Sequence, residues 1–176
     1  KYARKKENVS DLTEKMLKGT SNKSGRIHGS RDYFRAKAGN NLLFEIVPVK
    51  KIKNHKEAEN VTDLSYFHVN YIKRKLKGKI SDEVRLAKAF CHASGCYGAE
   101  SYIKGFSGYA LELLIYHYKT FLNFIKNMAK IKGKEKLVID IERHYKNKNL
   151  VLMDVNAAKL QSPIILIDPT QKQRNS

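Results

Sequence analysis

Acidic residues, cysteine and long apolar runs are scarce in this sequence. Only 17 Asp and Glu stand against 35 Lys and Arg in 176 residues, a formal net charge of +18, with pI near 9.8. Like charges repel in a compact state, so such an excess is a footprint for an anionic partner, nucleic acid first and membrane second. No apolar run approaches the roughly 20 residues needed to span a bilayer, and no lipidation motif is visible, which argues against membrane. Cys91 and Cys96, with His92 between them, have no second pair elsewhere. They are too few for a four-ligand zinc site or a secreted disulfide framework, and read as reduced apolar residues of an intracellular, cytoplasmic protein. Walker A, GxGxxG, HExxH, GxSxG and CxxC motifs are all missing, so a P-loop or Rossmann mechanism is unsupported. No signal peptide, internal repeat or low-complexity tract is visible in these residues. The chain opens at Lys1 without Met and closes on Gln173-Arg174-Asn175-Ser176 without a closing element, so both ends are expected to be cut.

What is present is a change of periodicity along the chain. Residues 1–30 are polar, with one helix expected around Val9 to Leu17. The segment SNKSGRIHGSRDYF leads into a strand pair, Arg31 to Ala38 and Leu42 to Val49, turning at Gly39-Asn40-Asn41. Leu43-Phe44-Glu45-Ile46-Val47 reads as a buried strand with a carboxylate inside it, ended by Pro48. From Asp63 the period becomes helical, with helices expected at about 63–76, 82–93 and 108–127. Ser81 is the expected N-cap of the second and Gly95 its stop. In the third, Leu111, Leu114, Ile115, Tyr118, Leu122 and Ile125 form the expected buried stripe. Beyond Gly133 strands return, at Leu137-Val138-Ile139 and Ile164-Ile165-Leu166-Ile167. The fold class is therefore α+β: a sheet, a helical middle and a second small α/β region.

The stretch CYGAESYIKGFSGYALELLIYHY, from Cys96 to Tyr118, places Gly105 and Gly108 beside aromatic residues at the start of an apolar helix. Glycine belongs where backbone turns sharply or another group must come close. Taken alone, this is a helix start packed on a neighbour. On the preceding helix Val84, Ala87, Phe90 and Cys91 form the apolar stripe, with Lys88 at its border. A border Lys is usually a snorkelling surface residue, but Tyr97 follows the stop at Gly95, so an ammonium and a phenol can converge as a hold for a triphosphate. Glu45 is either an exposed strand carboxylate, the commoner case, or a ligand for Mg²⁺ together with other carboxylates. His68 and Arg174 are ambiguous by themselves.

Taken together, these segments resemble archaeal, class I CCA-adding tRNA nucleotidyltransferases. DEVRLAKAFCHASGCYGAESYIKGFSGYALELLI is similar to that family's NEVRLLK, YGAE, RGFSGY and CELLI in succession. FEIVPV resembles its strand bearing the third catalytic carboxylate, usually Asp followed by Val-Val-Pro. DLSYFHV resembles DRTxxHT, DPTQKQRN resembles DPxxxxRN, and Tyr2-Ala3 echoes an upstream YAEHP. The resemblance covers about residues 40–176 and implies a DNA polymerase beta-type nucleotidyltransferase. Residues 1–62 would be the C-terminal part of its palm, 63–130 its helical nucleotide-binding domain, and 131–176 the start of its tRNA-binding tail.

The resemblance further implies template-independent addition of CMP and AMP, from CTP and ATP, to the 3′ acceptor end of tRNA with Mg²⁺. By position Glu45 would be the third metal carboxylate, Ser65 and His68 would lie along the nucleotide site, Lys88 and Tyr97 would contact the triphosphate, and Arg174 would read the base. The chain departs from the pattern in four ways. Glu replaces Asp at position 45; Leu64 and Val69 stand where the family has Arg and Thr; residues 134–160 carry an insertion; and no Gly-Ser motif followed by an Asp-x-Asp strand occurs. The chain alone is therefore expected to be inactive. The alternatives are a non-catalytic basic RNA-binding relative, or another nucleotidyltransferase of the poly(A) polymerase-like kind. A homodimer is left open.

Overall fold

In the computed structural model, residues 8–18, 24–29, 31–39, 42–99, 102–132, 135–157 and 159–171 are described. They form an α+β fold that divides into two compact units, residues 1–66 and 67–176.

The first unit starts with helix α1 (Val9–Lys18) and continues as an antiparallel meander of β1 (Ser24–Ile27), β2 (Tyr33–Ala38) and β3 (Leu42–Ile46). The β2–β3 pairing has Ala38 opposite Leu42 and Arg35 opposite Glu45, as the alternation of the two segments leads one to expect. Asn40 and Asn41 of the expected turn lie outside the described residues. β1 falls in the polar segment where no strand was expected. Arg26 holds it there, pairing with Asp32 from the β1–β2 connection and with Asp11 at 2.9 Å and Glu14 at 3.0 Å from α1. Three carboxylates thus compensate one guanidinium, and its pKa is raised by hydrogen bonds to Asp32 first, then Asp11 and Glu14.

The run expected to be a buried strand is instead exposed. Leu42, Leu43 and Phe44 are 63%, 55% and 50% accessible, because β3 is the edge strand of this sheet and pairs only with β2 among the described residues. An apolar pattern on both faces of a strand encodes a capacity for burial, which the described residues of this unit leave unused. Beyond Pro48 the chain is organised by Asp63, whose buried carboxylate accepts from Arg31 (2.8 Å), Lys50 N (2.8 Å), Glu59 N (3.1 Å) and Asn60 N (3.1 Å). It closes a reciprocal cap with Asn60 ahead of a short 3₁₀ turn, Val61–Leu64.

Helix α2 (Ser65–Lys75) spans the division between the units, and α3 (Ile80–Ala93), α4 (Gly108–Tyr118) and α5 (Phe121–Met128) follow. α3 begins after a turn at Gly78, with Ser81 N bonded to the Gly78 carbonyl, so Ser81 lies inside the helix and does not cap it. Gly95, at φ 66°, is the stop anticipated, with Cys96 N returning to the Cys91 carbonyl at 2.9 Å.

The single helix expected over 108–127 is two helices. Lys119 takes φ 70°. Thr120 then caps α5 through Asn123 N, and the Glu83 carboxylate of α3 accepts from Phe121 N at 2.7 Å. Restarting the helix changes its phase, so Phe124 is buried and Leu122, expected in the stripe, is 58% exposed. Val84, Ala87 and Cys91 of α3, Leu111, Leu114 and Ile115 of α4, Phe124, and Ile139 of β4 (Leu137–Ile139) make one core. β4 pairs in parallel with β5 (Ile164–Leu166), and the connection between them carries α6 (Lys148–Asp154), as a parallel pair requires a crossover.

Candidate functional site

The two glycines beside the apolar helix have separate causes. Phe106 N donates to the Cys96 carbonyl and Gly98 N to the Phe106 carbonyl, each at 2.9 Å, in a parallel bridge between Tyr97 and Phe106. A Cβ on Gly105 would stand 2.1 Å from the Cys96 carbonyl oxygen, so only glycine lets the two backbones approach this closely. A Cβ on Gly108 would stand 2.7 Å from the Tyr97 hydroxyl and 3.7 Å from Lys88 Cε. Gly108 therefore leaves room for the side chains that pack over the start of α4.

Lys88 and Tyr97 do converge, at Gly108. The Tyr97 ring is held by stacking on His92, with centroids 3.9 Å apart, and Ser107 caps α4 by accepting from Ala110 N at 3.1 Å. The first turn of an α-helix carries unpaired N–H groups and partial positive charge. Lys88 and Tyr97 bring an ammonium-bearing side chain and a phenol beside that turn, the groups that anion recognition at a helix N-terminus uses. Lys88 Nζ is meanwhile paired with Glu112 Oε1 at 2.6 Å, so an incoming anion competes with Glu112 for the ammonium. Glu112 was not singled out from the sequence, although a lone carboxylate flanked by Leu111 and Leu113, both buried, is a visible anomaly.

The other side of the same turn is tied down by Asp168. Its Oδ2 accepts from His68 Nε2 at 2.8 Å. Its Oδ1 accepts from Tyr109 OH at 3.0 Å, Thr170 N at 2.9 Å and Thr170 Oγ1 at 2.8 Å. The His68 and Tyr109 rings stack with centroids 4.1 Å apart and planes 17° from parallel. Burial opposes the charged form of Asp168, but the hydrogen bonds from His68 and Thr170 outweigh it and lower its pKa to about 2. Burial first, then the Asp168 charge, raises the Tyr109 phenol well above its ordinary value, so it stays a donor. Nearby on α2, Tyr71 and Lys75 both bond Glu142, Lys75 at 3.0 Å.

The remaining expected site residues are placed as follows. His68 is in the Asp168 cluster. Ser65 opens α2 and its Oγ donates to the Thr62 carbonyl at 2.6 Å. Glu45 faces Arg35 across the strand pair at 2.8 Å, with both side chains about half exposed. Arg174 and Tyr2-Ala3 lie outside the described residues. Among the described residues no three of His, Cys, Asp and Glu are grouped to hold a metal ion. A single carboxylate engaged by a guanidinium does not make an Mg²⁺ site by itself. Also among them, no helix is long and apolar enough to cross a membrane.

Residues 82–176 match the family model described as tRNA nucleotidyltransferase, second domain. The chain is 43% identical over 171 residues to the CCA-adding enzyme of Nanoarchaeum equitans, covering 97% of this chain and 43% of that relative. It is 37% identical over 133 residues to the CCA-adding enzyme of Methanocaldococcus jannaschii, with coverage of 74% and 28%, and 34% identical over 131 residues to that of Archaeoglobus fulgidus, with 74% and 26%. The chain thus spans less than half the length of these curated relatives.

Proposed function

Because the chain belongs to the archaeal CCA-adding tRNA nucleotidyltransferase family, we propose that it supplies the nucleotide-holding part of an enzyme that adds CMP and AMP, from CTP and ATP, to the 3′ acceptor end of tRNA. The observation that carries this reading is the convergence of Lys88 and Tyr97 on Gly108 at the start of α4. Lys88 and Tyr97 bind the triphosphate there, with α4's first turn adding its partial charge. His68 and Ser65 lie along the nucleotide site on α2, and Arg174 reads the base edge. Residues 63–130 act as the nucleotide-binding domain, 1–62 as the end of the palm and 131–176 as the start of the tRNA-binding tail.

Transfer of a nucleotidyl group requires in-line attack at the α-phosphate, with the protein contributing position and charge. Mg²⁺ is the proposed cofactor of the whole enzyme, in the cytoplasm. Glu45 contributes one carboxylate to it, and further carboxylates must come from elsewhere in the protein.

Lys88→Ala tests the reading directly. Removing a charge-assisted contact of about 1.5–3 kcal/mol weakens CTP and ATP binding about tenfold or more by calorimetry; unchanged affinity takes Lys88 out of the site. The second reading, a non-catalytic RNA-binding relative, draws on the pairing of Glu45 with Arg35. Labelled CTP and tRNA lacking its CCA end separate the two. Incorporation that depends on a supplied carboxylate strand, and is lost in Glu45→Gln, supports the enzyme; none even then supports the binding module.

A further inference from the structure

The ends of α2 and α4 meet on one aromatic ring. Lys75 Nζ lies 5.6 Å and Lys119 Nζ 4.2 Å from the centroid of Tyr116, so cations from two separate elements face its π-system. Lys75 is also 5.3 Å from the Tyr71 ring and is neutralised by Glu142. Its basic neighbours are not. Lys73, Arg74, Lys77, Lys79 and Lys119 are exposed, and among the described residues no carboxylate pairs with any of them. No Asp or Glu occurs between Asp63 and Asp82. These basic residues all belong to the second unit.

Helix stability accounts for only part of this cluster. Lys73 and Arg74 sit in the last turn of α2, where a cation complements the helix dipole. Lys77 and Lys79 instead precede α3, whose start carries the opposite partial charge, and Lys79 stands at the cap position without a side-chain hydrogen bond. The acids of the first turn of α3 are engaged elsewhere, Asp82 with Arg85 and Glu83 with Phe121 N. Lys119 ends α4 at φ 70°, a conformation in which glycine is the unstrained residue. Unpaired like charges held together at positions that local structure disfavours point to an external anion.

We propose that Lys73, Arg74, Lys77, Lys79 and Lys119, gathered around Tyr116, form a docking surface for the phosphate backbone of RNA. This rests on the tRNA reading above and deepens it, using none of the residues of the Lys88 site. Long, flexible ammoniums suit the positioning of a backbone, not the reading of bases. A lipid surface is the less favoured partner, because among the described residues no large apolar side chain of 70–80 or 115–120 is exposed to enter it.

The test is filter binding of the chain to tRNA lacking its CCA end, across a salt series. One variant carries Lys73→Ala, Lys77→Ala and Lys79→Ala together. A control carries Lys126→Ala, Lys130→Ala and Lys132→Ala, which removes the same charge from exposed positions elsewhere in the unit. Lys119→Gly is the third, and thermal unfolding, CTP calorimetry and sedimentation with phosphatidylserine vesicles accompany each. The first triple is expected to lower tRNA affinity about tenfold or more and to flatten the slope of log affinity against log salt by about 2–3, since each neutralised phosphate contributes about 0.7–0.9. Its CTP affinity is unchanged, and the control stays within about threefold of wild type for tRNA. Lys119→Gly removes the ammonium together with the backbone strain, so it should unfold no earlier than wild type yet bind tRNA about threefold more weakly; it keeps the proposal measurable if the first triple does not fold. Equal loss in the two triples overturns the proposal, because net charge alone then sets binding. So does unchanged tRNA affinity in Lys119→Gly, or a first triple that loses vesicle binding and keeps tRNA. A wild type that binds CTP and no tRNA overturns the surface and leaves the nucleotide site standing; one that binds neither removes the function it rests on as well.

Discussion

Replacing either of two glycines by alanine adds the same methyl group within four residues of chain, yet the consequences should be opposite. At Gly105 the new Cβ meets a backbone oxygen, Cys96 O at 2.1 Å, and no rotamer change relieves it. The two backbone segments joined at the Tyr97–Phe106 bridge must separate, breaking the Phe106 N to Cys96 O and Gly98 N to Phe106 O hydrogen bonds. Each part-buried backbone group left unpaired costs about 1–3 kcal/mol, so a loss of about 2–5 kcal/mol is expected from a total that for most domains is about 5–15 kcal/mol. At Gly108 the new Cβ meets the end of a side chain, the Tyr97 hydroxyl at 2.7 Å, which can swing away. Alanine in a helix also gains about 0.5–1 kcal/mol over glycine. Gly108→Ala should therefore unfold within about 1 kcal/mol of wild type while binding CTP and ATP more weakly, since Tyr97 and Lys88 are displaced. Urea unfolding followed by circular dichroism, with calorimetry for the nucleotides, measures both. A Gly105→Ala protein as stable as wild type, or a Gly108→Ala protein with unchanged nucleotide affinity, refutes the reasoning about why these glycines are there.

Three further outcomes follow from named contacts. Asp63→Ala strands Arg31 and the Lys50, Glu59 and Asn60 amides in the first unit, and should cost about 3–5 kcal/mol in urea unfolding, as loss of one partner of a buried pair does. Asp168, with its pKa lowered from 3.8 to about 2, contributes about 2 kcal/mol that is fully present above pH 3.8 and lost as pH falls through about 2; Asp168→Asn should flatten that part of the acid unfolding profile. If the net charge of +18 serves a phosphate backbone, log affinity for tRNA falls linearly and steeply with log salt, and a flat dependence in filter binding returns the charge to solubility.

Short-range signals carried much of the fold into the sequence. Gly95 as a stop is a local event: a left-handed residue satisfies the carbonyls behind it. The pairing of β2 with β3 across a short turn was legible for the same reason, as was the convergence of Lys88 with Tyr97 across a tight stop. The break at Lys119 was not, because it depends partly on Glu83 reaching Phe121 N from another helix. β1 was missed because its stabilising contacts come from Asp11 and Glu14 on α1, not from apolar periodicity.

The sequence by itself determined the class of the fold, the basic character that points to an anionic partner, and the family, because composition, local caps and motif order need no third dimension. Only the tertiary structure decided what the polar side chains do. Burial of Leu43 and Phe44 requires a covering layer, and within its unit β3 is an edge strand that leaves them exposed. His68 and Asp168 are a hundred residues apart in the chain and 2.8 Å apart in space. A hydrogen bond of that kind is a relation between surfaces brought together by packing, and neither partner's own sequence neighbourhood specifies the other.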